Sequence, residues 1–251
     1  MKNSTWLSKG LPLLSLLFLV CLWQILSFFY KPVILPSPIE TLQALHNLYD
    51  SGKLFEHASN TIVRGLAGFA LAVVVGVPLG LFMGLNSVIG KLIQPYVVTI
   101  QVIPIISWLV LAMIWFGSDK VPIFVVFITT LPLVIINIVQ GVQNVNPHFT
   151  EMAKLFLVDK KRLIFEVYLP QVIPYLIAAM SAALGTTWKA VAMAEFLSAH
   201  RGIGAGMHTA RTNLETPEVF AWTLLLVVLG LLTDRGLQAI NKRLSTWRYA
   251  K

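Results

Sequence analysis

Six stretches of this sequence run without a charged side chain: residues 10–30, 65–90, 92–118, 121–150, 167–188 and 219–233. A helix crosses a bilayer core with about 20 apolar residues, and the first five stretches are that long. The sixth has 15 residues between Glu218 and Asp234. Its charged flanks can sit at the interface, so a span over about 217–238 is expected. Backbone polar groups in hydrocarbon must be satisfied internally, and uninterrupted apolar runs of this length do so as helices. The sequence therefore predicts an all-α membrane protein with about six transmembrane helices.

Composition points the same way. Only 12% of residues are charged and 57% are hydrophobic, against about 25% charged in a soluble domain. The net charge of +8 could suggest a nucleic-acid partner, but the basic residues fall in short runs between apolar segments. That pattern fits a lipid bilayer as the partner and no nucleic acid. Cys21 is the one cysteine and the five histidines are scattered, so neither a disulfide nor a metal site is expected. The stretch 10–30 exceeds the ~7–15 residues of a signal-peptide core and no A-x-A-like site follows, so it reads as an uncleaved anchor helix. The chain reads as one transmembrane domain, 1–251, with its core at about 55–245.

Two features bear on helix packing. Pro78, Pro104, Pro132 and Pro174 lie in or near the apolar windows. Each removes a backbone donor, which predicts a kinked bundle around a polar path. Gly68, Ala72, Gly76, Gly80 and Gly84 recur every four residues, a small-residue stripe that lets another backbone approach closely. The stripe does not say whether that backbone is in this chain or in a second copy.

Between the first two spans, Ile39, Leu42, Leu45 and Leu48 recur at helical spacing. A short amphipathic helix starting near Ser37, with Pro38 in its first turn, is expected there. With the N-terminus inside, twelve of the nineteen basic residues fall on the cytoplasmic side. This predicts cytoplasmic N- and C-termini.

The segment 145–170 is the most patterned. Thr150 can cap a short helix with Glu151 in its first turn, running to about Leu157. Asp159 can cap a second, with Leu163, Ile164, Val167 and Tyr168 apolar against Lys160, Lys161, Arg162 and Glu166. Pro170 would open the next span. A helix pair of this kind outside the membrane suits docking to a protein.

Here the sequence resembles a known family. Glu151-x-Ala153, followed by Val167-x-Leu169-Pro170, is similar to the EAA loop of binding-protein-dependent ABC importer permeases. In that family a glycine follows the first loop helix; this chain has Leu157 at the position. Further segments resemble the nitrate/sulfonate/taurine branch. They are Leu35-Pro36-Ser37-Pro38, Arg64-x-x-x-Gly68-Phe69, Gly76-Val77-Pro78-Leu79-Gly80, Ile103-Pro104, Trp115-Phe116-Gly117, Ala194-Glu195-Phe196-Leu197 and Gly202-Ile203-Gly204.

The resemblance implies a permease in the inner membrane whose loop 150–170 forms cytoplasmic coupling helices seated on an ABC ATPase. Glu151, Ala153, Leu157, Val167, Leu169 and Pro170 would carry that contact. It implies an extracytoplasmic substrate-binding protein, a second permease copy and a small anionic cargo such as a sulfonate, taurine or nitrate. A thiamine-precursor pyrimidine is the alternative cargo. The chain has no G-x-x-x-x-G-K-[ST] phosphate loop. ATP hydrolysis is therefore expected on the partner, with no catalytic residue and no cofactor here.

Polar side chains in apolar spans are candidates for the translocation path: Gln101 and Ser107 on either side of Pro104, and Trp188, Lys189 and Glu195 in and after the fifth window. Interhelical bonding and snorkelling are the bland alternatives for the same residues. An ion-coupled carrier or channel would place acidic groups at membrane depth, whereas here they lie near boundaries or in loops. A membrane enzyme would need a nucleophile–base pair or metal cluster at depth, which the spacing does not supply.

Overall fold

A computed structural model describes the backbone of residues 4–249, and no side-chain placement is described for 1–10, 12, 13, 154, 160 and 240–251. The basic residues Lys2, Lys9, Lys154, Lys160, Lys242, Arg243, Arg248 and Lys251, used above for orientation, lie outside the described side chains. The chain is built from α1 (Ser4–Ser27), α2 (Pro38–Asp50), α3 (Lys53–Leu85), α4 (Ser87–Val102), α5 (Ile105–Trp115) and α6 (Val121–Gln143). There follow α7 (Pro147–Leu155), α8 (Lys160–Arg162), a π-helical turn Leu163–Tyr168, α9 (Leu169–Ser198), α10 (Ile203–Thr212) and α11 (Thr216–Tyr249).

Among the described residues, four helices are long and apolar enough to cross a membrane: Lys53–Leu85, Val121–Gln143, Leu163–Ser198 and Thr216–Ala239. The third apolar window is instead two helices, α4 and α5, meeting at 94°; counted as one broken span, it makes five. In the first window α1 runs from Ser4 to Ser27, with side chains described continuously from Leu14. The break has a local cause. Ile103 is extended (φ −62°, ψ 125°) because a residue before proline is pushed out of the helical region, and Pro104 has no N–H to continue the ladder. Pro78, Pro132 and Pro174 lie inside continuous helices, so of the four prolines only Pro104 interrupts its element.

The bundle is organised around α6, which lies between α3 and α9. The small-residue stripe finds its partner within the chain. A Cβ added to Gly68, Gly76, Gly80 or Gly84 would approach Val126, Val134, Ile138 or Val142 to 2.6–2.9 Å. Each pair is 58 positions apart, so α3 and α6 run parallel in constant register, which sets the fully buried Ala72 level with the fully buried Thr130. Side chains of α6 enter a groove floored by backbone, where dispersion contacts replace the hydrophobic drive that lipid cannot supply.

One end of the bundle is covered by α2 and α10. Ser37 caps α2 with a capping box: its hydroxyl accepts from the Glu40 N–H at 3.2 Å, and the Glu40 carboxylate accepts from the Ser37 N–H at 2.7 Å. The start is as the sequence predicts, but the inward face is not. Thr41, Ala44 and Leu48 are buried with Leu45 beside them, while Ile39 and Leu42 point outward. The inward face, packed on α11 and α3, mixes small and large side chains, for Leu48 is buried there with Ala44. Near this end, α1 is fastened by Trp23. Its indole N–H donates to Pro36 O at 2.9 Å and its ring stacks on Phe220.

Candidate functional site

The segment after α6 begins earlier than expected. The His148 N–H donates to Asn146 Oδ1 at 3.0 Å and Pro147 occupies the first helical position, so Asn146, not Thr150, caps α7. Thr150 lies inside the helix with its hydroxyl bonded to Pro147 O. The Asn146 N–H donates to Gln171 Oε1 at 3.1 Å, strapping the loop's entrance to the start of α9.

α7 ends at Leu155 in a tight reversal. The Val158 N–H returns to Ala153 O at 2.9 Å, with Leu157 in the left-handed region at φ 51°. This is the conformation that favours glycine at a helix C-terminus, so the glycine of the resembled loop has a geometric role that Leu157 fills under strain. Ala153 is buried and Glu151 exposed. At the tip, Leu155, Phe156 and Leu157 are 82%, 77% and 91% exposed.

The helix resumes after Asp159. Leu163, Ile164, Val167 and Tyr168 are half-buried and Lys161, Arg162 and Glu166 exposed, the amphipathic division read from the sequence. Pro170 does not open a separate element, for the helix runs from the π turn into α9 unbroken. Within that turn the Leu169 N–H reaches back to Ile164 O, a wider step taken just before Pro170, which has no N–H to give. Val167, Leu169 and Pro170 thus share one rigid rod with the membrane span.

At the opposite end lies a buried ionic cluster. Glu195 of α9 has no exposed surface. Its Oε1 accepts from Arg64 Nη1 at 3.2 Å, and its Oε2 from Thr61 Oγ1 at 2.7 Å and the Gly204 N–H at 3.2 Å. Having donated its proton, the Thr61 hydroxyl accepts the Ile203 N–H at 2.7 Å. Arg64 also donates to Arg201 O and to Asp119 Oδ1, both at 2.5 Å. The remaining member, His57, donates Nδ1–H to Gly202 O at 2.7 Å.

Two glycines make this closeness possible. Gly202 has φ 118°, and a Cβ there would fall on the Glu195 carboxylate; a Cβ on Gly204 would overlap Ala192 O. The cluster pins the α9–α10 loop to α3 and, through Asp119, to the α5–α6 loop. Beside it opens a cleft of about 570 Å³, lined in part by Asn60, Arg64, Asp119, His200 and Arg201.

The path candidates divide. Gln101, Pro104, Ser107 and Lys189 are exposed on the subunit. Trp188 and Glu195 share a helix face, as their seven-residue spacing requires, but that face is the interior. Trp188 packs against Gly65 and donates its indole N–H to Thr233 at 3.0 Å. These two brace the subunit. Arg64 entered the sequence reading only within a motif, and Thr61 and Asp119 did not enter it. The available signal was an arginine at the edge of a long apolar window, since such a charge needs a partner.

Residues 76–246 match the family described as "Binding-protein-dependent transport system inner membrane component". The chain belongs to this family. It is 30% identical over 247 residues to a probable ABC transporter permease protein of Brucella abortus (strain 2308), with 98% of each chain covered. It is 25% identical to the taurine transport system permease protein of Escherichia coli (strain K12), covering 86% of this chain and 81% of that one. It is 28% identical to the formylaminopyrimidine transport permease protein of Halalkalibacterium halodurans, covering 94% and 95%. The fold matches a chain in the inward-facing MetNI methionine ABC transporter with TM-score 0.67 and 18% identity, over 74% of this chain and 93% of that one. The protein is thus the membrane permease subunit of an ABC importer, a multi-pass inner-membrane protein.

Proposed function

We propose that this permease moves a small anion of the sulfonate, taurine or nitrate type, delivered by an extracytoplasmic binding protein. ABC ATPases would drive it through the α7 loop. The observation that carries the reading is the tip of that loop. Leu155, Phe156 and Leu157 stand exposed next to the exposed carboxylate of Glu151, on a loop strapped by Asn146 and Gln171 to a membrane-spanning rod. Apolar side chains displayed this way on a rigid helix end suit a cleft in another protein, and motion imposed there is delivered to α9 without slack. Glu151, Ala153, Leu157, Val167, Leu169 and Pro170 are the residues assigned to this coupling.

In this reading the α7 end is cytoplasmic and the α2–α10 end faces outward, with both termini inside. The binding protein docks near α2 and α10. Gln101, Pro104, Ser107 and Lys189 lie on the subunit's surface, so a second copy of the permease completes the path. ATP is bound and hydrolysed by the partner, and this chain holds no cofactor.

A taurine permease among the relatives favours the anionic cargo. A formylaminopyrimidine permease at similar identity favours the second reading, a thiamine-precursor pyrimidine. The coupling is tested by Phe156→Asp and Glu151→Ala. Both variants should insert normally yet retain less ATPase on purification and lose ATP-driven uptake. Undiminished ATPase retention and uptake in both would overturn the docking role. Uptake of labelled taurine, an alkanesulfonate, nitrate and formylaminopyrimidine by the reconstituted complex then separates the cargos.

A further inference from the structure

Between α4 and α6, near the α3–α4 turn, lies a second cleft of about 590 Å³. Its apolar wall includes Met83, Val97 and Ile135, all buried. Its polar wall comes from two helices. Lys91 and Gln94 of α4, and Gln140 and Gln143 of α6, line it as two i,i+3 pairs, each on one helix face. Among the described residues that line the cleft, Lys91 is the one that carries a charge. Within the subunit, the side chains of these four residues make no hydrogen bond or ion pair with a described residue. All four are exposed on the subunit. An ammonium and three carboxamides beside an apolar wall offer donors to an anionic head and dispersion contact to a tail.

We propose that this cleft binds a small anion carrying an apolar tail, the chemistry of an alkanesulfonate, with Lys91 and the amides of Gln94, Gln140 and Gln143 holding the head. The source of the ligand rests on the importer reading above; the binding does not. A phosphatidylglycerol from the bilayer offers the same chemistry, an oxyanion on an apolar chain, so the test must part the two.

The full chain is reconstituted in nanodiscs of phosphatidylcholine and titrated calorimetrically with hexanesulfonate. Saturable binding is expected, weakened about tenfold or more in Lys91→Ala and kept in Lys91→Arg, as loss of a charge-assisted contact requires. Methanesulfonate, without the tail, and hexanol, without the charge, should each bind about tenfold more weakly or worse. Gln140→Leu should lower affinity with an unchanged melting temperature, since its amide bonds to nothing in the subunit. No saturable binding, or equal binding by the wild type and Lys91→Ala, overturns the proposal. So does phosphatidylglycerol in the disc if it occupies the cleft and excludes hexanesulfonate. Binding that meets these conditions, in a complex that performs no ATP-driven uptake of any sulfonate, taurine or nitrate, supports the cleft and overturns the anionic-cargo reading alone.

Discussion

Arg64 and Glu195, 131 positions apart in sequence, meet at 3.2 Å in the interior of the subunit, the arginine side chain 7% exposed and the carboxylate not at all. A buried pair recovers its desolvation cost only when its remaining donors and acceptors are also satisfied. Here Thr61, Gly204, Arg201 and Asp119 supply those contacts. Removing Glu195 leaves Arg64 only Asp119 and Arg201 O, and deprives the buried Thr61 hydroxyl and the Gly204 N–H of their acceptor. Glu195→Ala should therefore cost about 3–5 kcal/mol, seen as a large fall in melting temperature in detergent. The double variant Arg64→Met/Glu195→Leu should recover much of that loss. If Glu195→Ala melts with the wild type, the pair does not hold the loop.

The glycine at 202 is fixed by the same carboxylate. Gly202→Ala would put a methyl group onto Glu195 at a φ that side chains rarely adopt. Backbone strain alone should cost about 1–3 kcal/mol, with the steric clash added. Gly185→Ala, where a Cβ meets nothing within 4 Å, should be neutral or stabilising by up to about 1 kcal/mol. Expression and melting of the two variants side by side check the contrast.

Leu157 carries its strain in the open. Its φ of 51° costs a leucine about 1 kcal/mol that glycine does not bear. Leu157→Gly should relax the α7 turn and slow proteolysis at the loop, whereas Leu157→Val should accelerate it. Limited proteolysis in nanodiscs reads both.

The α3–α6 register can be tested at Gly80. A Cβ there would lie 2.7 Å from that of Ile138, and overpacking of this kind costs about 1–3 kcal/mol. Gly80→Ala should lower the melting temperature, and Gly236→Ala, in open space, should not.

Much of the architecture follows from local chemistry. Four of the six charge-free windows fall largely in helices long and apolar enough to cross a membrane. Ser37, Pro38 and Glu40 mark the start of α2, and the α8–α9 amphipathic face is visible in residues 163–168. The family's loop is legible from Glu151, Ala153 and Pro170. Local reading went astray where two signals competed within a few residues. Asn146-Pro147 outranked Thr150 as a cap because the proline is already set for the first turn. Pro104 broke its span where three other prolines did not, since only Ile103 left the helical region.

The sequence by itself determined which segments are long and apolar and where the small residues lie, because both depend on side chains a few positions apart. Tertiary structure alone decided that the glycine stripe of α3 receives α6 of the same chain. It also decided that Glu195 faces Arg64, and that Lys91 stands beside three glutamines. Each of those depends on which helix lies beside which, and a pairing across 58 or 131 positions leaves no periodic mark on the chain.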